Sequence, residues 1–208
     1  MFSCKVDNNI ELRLIEPRHA EELNALIERN FNHIKKWSAW LKDDRSIENT
    51  RTFIKRNLKQ FAENEGFAVG IWYEDEMAGQ IEYNYLDWNN RKTEIGFWLG
   101  ESFQGKGLVT KSCRVLINYA FNELKLNRVE MLCGAENTKS RKIAEKLDFR
   151  EEGIMRQTTW LHDRFVDFVI YGMLASEWHE AQPRKQGKLD GKAQPFRTSG
   201  GTAARKVE

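Results

Sequence analysis

The chain has 208 residues, of which 40% are hydrophobic, 31% charged and 12% aromatic, and its 33 Lys/Arg and 31 Asp/Glu leave a net charge of +2. That is one domain's worth of ordinary globular composition, with enough apolar residues for a buried core. No apolar run approaches the ~20 residues of a membrane-spanning helix, and MFSCKVDNNIEL lacks the basic-then-apolar layout of a secretion signal, so a cytoplasmic protein with no membrane partner is expected.

The charge is unevenly placed. Residues 184–208 carry seven Lys/Arg against two Asp/Glu, which leaves 26 basic and 29 acidic residues in 1–183. The tail has almost no large apolar side chain to offset its ordering entropy. The expectation is a folded domain over 1–183 and a disordered basic tail over 184–208, a candidate for weak electrostatic contact with the ribosome or nucleic acid. Cys4, Cys113 and Cys133 are odd in number and far apart, without CxxC or Cys/His clustering. They read as reduced structural thiols, and no metal site is expected.

Along the chain, IELRLIE alternates at Ile10, Leu12 and Leu14 as a half-buried strand does. Pro17 then opens a helix with Leu23, Leu26, Ile27, Phe31 and Ile34 on one face. A second helix follows Ser46, with Phe53, Ile54, Leu58 and Phe61 inward. GFAVGIWYE and AGQIEYNYLD form a hairpin around Asp75–Ala78, and KTEIGFWLG is a further strand. Next comes GESFQGKGLVTKSC, then a helix with Val109, Cys113, Leu116, Ile117, Ala120, Phe121 and Leu124 at helical spacing. NRVEMLCGA alternates at Val129, Met131 and Cys133; TKSRKIAEKL is a short helix; and REEGIMRQTTWLHDRFVDFVIYGML supplies two last strands. Alternating helices and strands predict an α/β or α+β layered domain.

The glycine-rich turn between strand and helix carries the chemistry. Gly100-x-x-x-x-Gly105-Lys106 matches the start of a P-loop, but Gly107 stands where a P-loop needs Ser or Thr for magnesium. A dinucleotide fingerprint needs Gly at 110, where Thr110 sits. What remains is a turn whose small residues let a ligand approach, with the N–H groups of the following helix pointing at it. That suits a pyrophosphate bound without metal.

FWLGESFQGKGLVTKSCRVLINYAF resembles motif A of the GNAT N-acetyltransferases, Gln/Arg-x-x-Gly-x-Gly/Ala, with Gln104, Gly105, Lys106 and Gly107 at its centre. AENTKSRKIAEKLDFREEG resembles the next family block, Asn-x-x-Ser-x-x-x-x-x-Lys-x-Gly-Phe, except that Asp148 stands where Gly is usual before Phe149. NNIELRLIEPRHAEEL and EIGFWL resemble the RimJ/RimL branch, which acetylates protein N-termini, and the likeness spans roughly residues 8–179. The resemblance implies a mixed, mostly antiparallel sheet with a splayed central strand pair, flanked by helices, and acetyl-CoA in the gap. It implies that Phe97, Trp98 and Leu99 offer backbone groups to the pantetheine arm, and that Gly105, Lys106, Gly107, Leu108, Val109 and Thr110 offer amides to the pyrophosphate. Asn137 would contact the pantetheine region and Ser140 would sit near the sulfur. Related enzymes often carry an acidic residue in the strand matching RQTTWL, where this chain has Thr158 and Thr159.

The acceptor amine must be neutral to attack a thioester. An α-amino group titrates near ~8, so neutralising it at pH 7 costs about 1.4 kcal/mol, against about 4.6 kcal/mol for a lysine near ~10.4. A carboxylate acting through water serves the first case more easily. Glu94 leads as candidate base, Glu82 follows on the neighbouring strand, and Ser140 is the candidate donor to the departing sulfur. The expected function is acetyl transfer from acetyl-CoA to a primary amine, with the N-terminal α-amine of a ribosomal protein as first choice. The alternatives are a small-molecule amine such as an antibiotic or polyamine, a non-catalytic CoA-binding protein on the same fold, and an RNA- or ribosome-binding protein acting through the tail. A homo-oligomer is left open.

Overall fold

The computed structural model describes residues 3–41, 43 and 45–185. Its elements are β1 (Ser3–Lys5), β2 (Ile10–Leu14), α1 (Ala20–Arg29), α2 (Phe31–Lys35), α3 (Ile47–Ala62), β3 (Phe67–Tyr73), β4 (Glu76–Asp87), β5 (Lys92–Leu99), α4 (Leu108–Asn118), β6 (Arg128–Gly134), α5 (Thr138–Lys146), β7 (Arg150–Leu161), β8 (Arg164–Leu174) and α6 (Ala175–Lys185). The strands form one sheet in the order β1-β2-β3-β4-β5-β6-β8-β7. Every neighbouring pair is antiparallel except β5–β6.

That parallel pair is the feature that positions the site. Its register runs only through Lys92↔Arg128, Thr93↔Val129 and Glu94↔Glu130, although the strands continue to Leu99 and Gly134. Beyond Glu94 the two strands share no rung, so the sheet opens towards its carboxyl-terminal edge. α4 covers the face that carries Tyr83, whose hydroxyl donates to the Leu116 carbonyl. Side chains alternate along a strand, so Glu82 points the other way, towards the side where Arg56 of α3 acts on it electrostatically.

Most predicted elements stand where the periodicity puts them. Ser46 caps α3 by accepting from the Asn49 amide. The β3–β4 hairpin turns at Glu74–Asp75, both at positive φ, slightly ahead of the predicted Asp75–Ala78, because Ala78 is fully buried within β4. Asp148 takes φ +63° where the related pattern has Gly, a conformation Asp reaches more readily than most residues. The single helix predicted from Pro17 to Ile34 is instead a 3₁₀ turn (Pro17–His19) followed by α1 and α2. Asn30 breaks it: its Nδ2 donates to the Leu26 carbonyl and its Oδ1 accepts from the Glu101 amide. The periodic apolar face runs through this break, so sequence alone cannot show it. β1 and α6 were not predicted. α6 is pinned by Trp178, which is 3% exposed and donates to Asn118, and it takes in the first two positions assigned to the tail. Residues 186–208, the rest of that predicted tail, lie outside the described residues.

All three cysteines are buried. Burial pushes the Cys133 thiol up to about 12 and Cys113 higher still, which leaves both as unreactive thiols in the core. No helix among the described residues is long and apolar enough to cross a membrane.

Candidate active site

The glycine turn leaves β5 at Leu99, makes a 3₁₀ turn over Glu101–Phe103 anchored by buried Phe103, and enters α4 at Leu108. Gly105 and Gly107 adopt φ +79° and +76°, and a Cβ built on either meets nothing within 4 Å. The turn therefore requires glycine for its backbone angles, and its outer face is open. Gly107 is the N-cap of α4 and, lacking a side chain, makes no cap hydrogen bond. The first amides of a helix have no acceptor within it, so those of Leu108, Val109 and Thr110 meet the open face at the positive end of the helix dipole. Leu108, Val109, Cys113, Leu116 and Ile117 are buried beneath them and hold the helix against the sheet.

The longer side chains of the turn have partners elsewhere in the fold. Lys106 packs its ammonium over Tyr73, 4.6 Å from the ring centre. Gln104 contacts His33 of α2, Nε2 to Nε2 at 2.6 Å, and its Oε1 accepts from Lys139 of α5 at 2.7 Å. Gln104 thus joins the glycine turn to α2 and to the α5 block. His33 and Lys139 were not anticipated, since nothing in their spacing links them to Gln104.

At the start of α5, Asn137 Oδ1 accepts from the Ser140 amide at 3.2 Å. Asn137 is the N-cap, and Ser140 sits one turn in with its hydroxyl making no hydrogen bond among the described residues. Along β5, Phe97 and Leu99 are half-buried and Trp98 is 8% exposed. Trp98 pairs with Gln80, and both Trp98 Nε1 and Gln80 Oε1 are buried with no hydrogen-bond partner among the described residues.

Lower on the same strand the sheet gathers carboxylates. Glu94 lies beside Glu130 across the parallel pair, and Glu82 lies on β4 opposite Gly96. Asn84 Nδ2 donates to Glu94 Oε1 at 2.6 Å, Gln80 Nε2 donates to Glu82 Oε2 at 3.0 Å, and the Tyr85 hydroxyl donates to Glu130 Oε2 at 2.8 Å. Burial raises the Glu94 carboxyl above its ordinary value, and the charge of Glu130 adds to it. Burial likewise raises Glu82, with Glu94 contributing. Glu130 goes the other way: despite its burial, hydrogen bonds from Arg128 and Tyr85 hold it low. The structure thus separates one fixed anion from two carboxylates shifted towards neutral pH, the direction a general base needs. Glu82 and Glu94 share one cluster, as the sequence placed them, while Asn84, Tyr85 and Glu130 were missed. The two-residue spacing of Glu82 and Asn84 on β4 was the available signal; the Glu94–Glu130 pairing depends on strand order and had none.

The strand predicted from RQTTWL is β7, whose register with β8 shifts between Met155 and Thr159. Thr158 is exposed and Thr159 half-buried, and neither can act as a base. Among the described residues no group of three His, Cys, Asp or Glu side chains is placed to hold a metal.

An open glycine turn at a helix start, a parallel strand pair that parts beside it, and a raised carboxylate on one of those strands with a second on the strand beside it define a class. The family model described as "Acetyltransferase (GNAT) domain" matches residues 9–150, and the chain belongs to that family. It is an acetyl-CoA-dependent N-acetyltransferase. A putative ribosomal N-acetyltransferase of Bacillus subtilis (strain 168) is 40% identical over 179 residues, covering 86% of this chain and 98% of the relative. A ribosomal-protein-serine acetyltransferase of Escherichia coli (strain K12) is 29% identical over 172 residues, covering 83% and 96%. Among solved structures, RimL, a ribosomal L7/L12 α-N-protein acetyltransferase in complex with coenzyme A, is similar with a TM-score of 0.80 at 26% identity, covering 83% of this chain and 98% of that one. These likenesses place the chain in the RimJ/RimL branch.

Proposed function

We propose that the chain acetylates the N-terminal α-amine of a protein, with a ribosomal protein as the first candidate. The observation that carries this reading is the raised Glu94 carboxyl on the strand that borders the opening. A base of that kind, acting through water, is matched to an α-amine, which needs about 1.4 kcal/mol to lose its proton at pH 7, and poorly matched to a lysine at about 4.6 kcal/mol. The names of the relatives point to the same acceptor class.

In this reading Gly105, Lys106, Gly107, Leu108, Val109 and Thr110 bind the pyrophosphate through backbone amides, with Gln104 fixing the turn. The backbone of Phe97, Trp98 and Leu99 lines the pantetheine path along the unpaired edge of β5, and Asn137 borders it from α5. Acetyl-CoA supplies the acetyl thioester. Glu94, with Glu82 behind it, takes the proton that the amine must lose. The Ser140 hydroxyl donates a hydrogen bond to the sulfur as it leaves and passes its proton to it to complete the CoA thiol, regaining through water the second proton that the nitrogen loses as the amide forms. The Asn137 side-chain oxygen is already committed to the helix cap, so its amide nitrogen is the group left to meet the cofactor.

The test is a transfer screen that reads CoA thiol release with peptides of free and blocked N-terminus, a polyamine and an aminoglycoside. The proposal expects turnover with the free-N-terminus peptides and little with the blocked ones. Turnover with the polyamine or the aminoglycoside alone would overturn it.

A further inference from the structure

On the reading that Glu94 is the base, we propose that Asn84 is a positioning residue which, by donating its side-chain amide to the carboxylate, fixes Glu94 as proton acceptor for the incoming amine. Three features place Asn84 for this. Its Nδ2 is 2.6 Å from Glu94 Oε1. A Cβ built on Gly96 would lie 2.9 Å from Asn84 Oδ1, 3.2 Å from Nδ2 and 3.3 Å from Glu82 Cγ, so the amide lies over a glycine, in space that a larger residue at 96 would fill. The β4–β5 register that pairs Glu82 with Gly96 and Tyr83 with Ile95 sets Asn84 directly across from Glu94, just before it shifts towards Leu86, and directly opposed side chains on one face are close neighbours. The Asn84 backbone is tethered by α3, where Gln60 Nε2 donates to its carbonyl at 2.9 Å.

The neighbours of Glu94 explain why this one donor matters. From β4 the Glu82 carboxylate faces it, and from β6 come Glu130 and the Cys133 thiol. The Tyr85 hydroxyl is spent on Glu130, as is Arg128. Arg56 of α3 acts on Glu82 rather than on Glu94. Among the described residues, Asn84 and Lys92 are the groups that favour the ionised form of Glu94, and Lys92 sits 3.6 Å from Glu130. Without the Asn84 amide, Glu94 keeps its burial and its anionic neighbours and loses its nearest donor.

The experiment follows Glu94 directly in the full chain, by a carbon-13 titration of its side-chain carboxyl assigned with Glu94→Gln. Wild type is compared with Asn84→Ala and the isosteric Asn84→Asp. Loss of a hydrogen bond to the charged form raises a carboxyl pKa, so the Glu94 midpoint should rise by about one unit in Asn84→Ala and further in Asn84→Asp, where a third carboxylate replaces the donor. With a free-N-terminus peptide as acceptor, the acid limb of kcat/KM should move up with it, while acetyl-CoA affinity stays at the wild-type value. A residue that only fills space would leave the Glu94 midpoint unchanged in Asn84→Ala, although the added charge would still raise it in Asn84→Asp. A Glu94 midpoint that stays put in Asn84→Ala would overturn the proposal. Wild-type turnover in Glu94→Gln would overturn the reading of Glu94 as base, and the titration would still decide the Asn84 contact separately.

Discussion

The glycine turn and the carboxylate cluster lie towards the two ends of one strand, β5, with Glu94 roughly 17 Å from Leu99 at about 3.3 Å per residue, and they are built in opposite ways. The turn works through backbone. Its two glycines hold left-handed angles, its helix presents amides, and its longer side chains have partners in Tyr73, His33 and Lys139. The cluster works through side chains that three strands bring together, and its properties come from burial and mutual charge. Substitutions should therefore separate binding from turnover.

The largest effect is expected at the turn. Gly105→Val and Gly107→Val force a branched residue into a left-handed backbone, which costs about 1–2 kcal/mol or more, and place its bulk on the open face. Acetyl-CoA affinity measured by calorimetry should fall at least tenfold in each. Glu94→Gln sharpens the contrast from the other side: turnover should drop by about 10²-fold with acetyl-CoA affinity retained. Ser140→Ala tests the third contributor. Asn137 supplies the cap of α5, so removing the Ser140 hydroxyl should change stability by no more than about 0.5 kcal/mol while lowering turnover per folded molecule by about 10²-fold. Turnover within about threefold of the parent would leave Glu94 and water to carry the proton transfers alone. Asn137→Ala should behave as a lost cap, costing about 1 kcal/mol, or roughly 2–4 °C in melting temperature for a domain of this size.

The smallest effect is one of sign. A carboxyl whose folded pKa is raised costs no stability while it is protonated in both states. The cost develops as pH rises from the unfolded value near ~4.3 through the folded one and is constant above it. Glu94→Gln removes that cost, so the variant should melt above the parent at pH 7–8, with the difference closing towards about pH 4. A melting difference independent of pH would mean that Glu94 is not held above its ordinary value.

The same contrast explains what the sequence revealed. The turn was legible because a backbone device needs particular residues at consecutive positions: Gly105, Gly107 and the apolar face of α4 are local. Gln104 was legible as part of the motif, but its link to His33 and Lys139 was not, because those residues arrive from α2 and α5 through the fold. Glu82 and Glu94 could be named as candidates from strand alternation. Their partners could not: Glu130 meets Glu94 only because β6 is the parallel neighbour of β5, and Asn84 meets Glu94 only once the β4–β5 pairing register is fixed. The break at Asn30 was hidden for a related reason, since an unbroken helical period on both sides masks a turn held by a contact to Glu101.

The most direct measurement places the two ends of β5 side by side: calorimetric titration of acetyl-CoA into Gly107→Val and Glu94→Gln, paired with turnover of each on a free-N-terminus peptide. Binding should be lost in the first and kept in the second, with turnover lost in both. Retained binding in Gly107→Val, or wild-type turnover in Glu94→Gln, would contradict the division of labour between backbone cradle and carboxylate base.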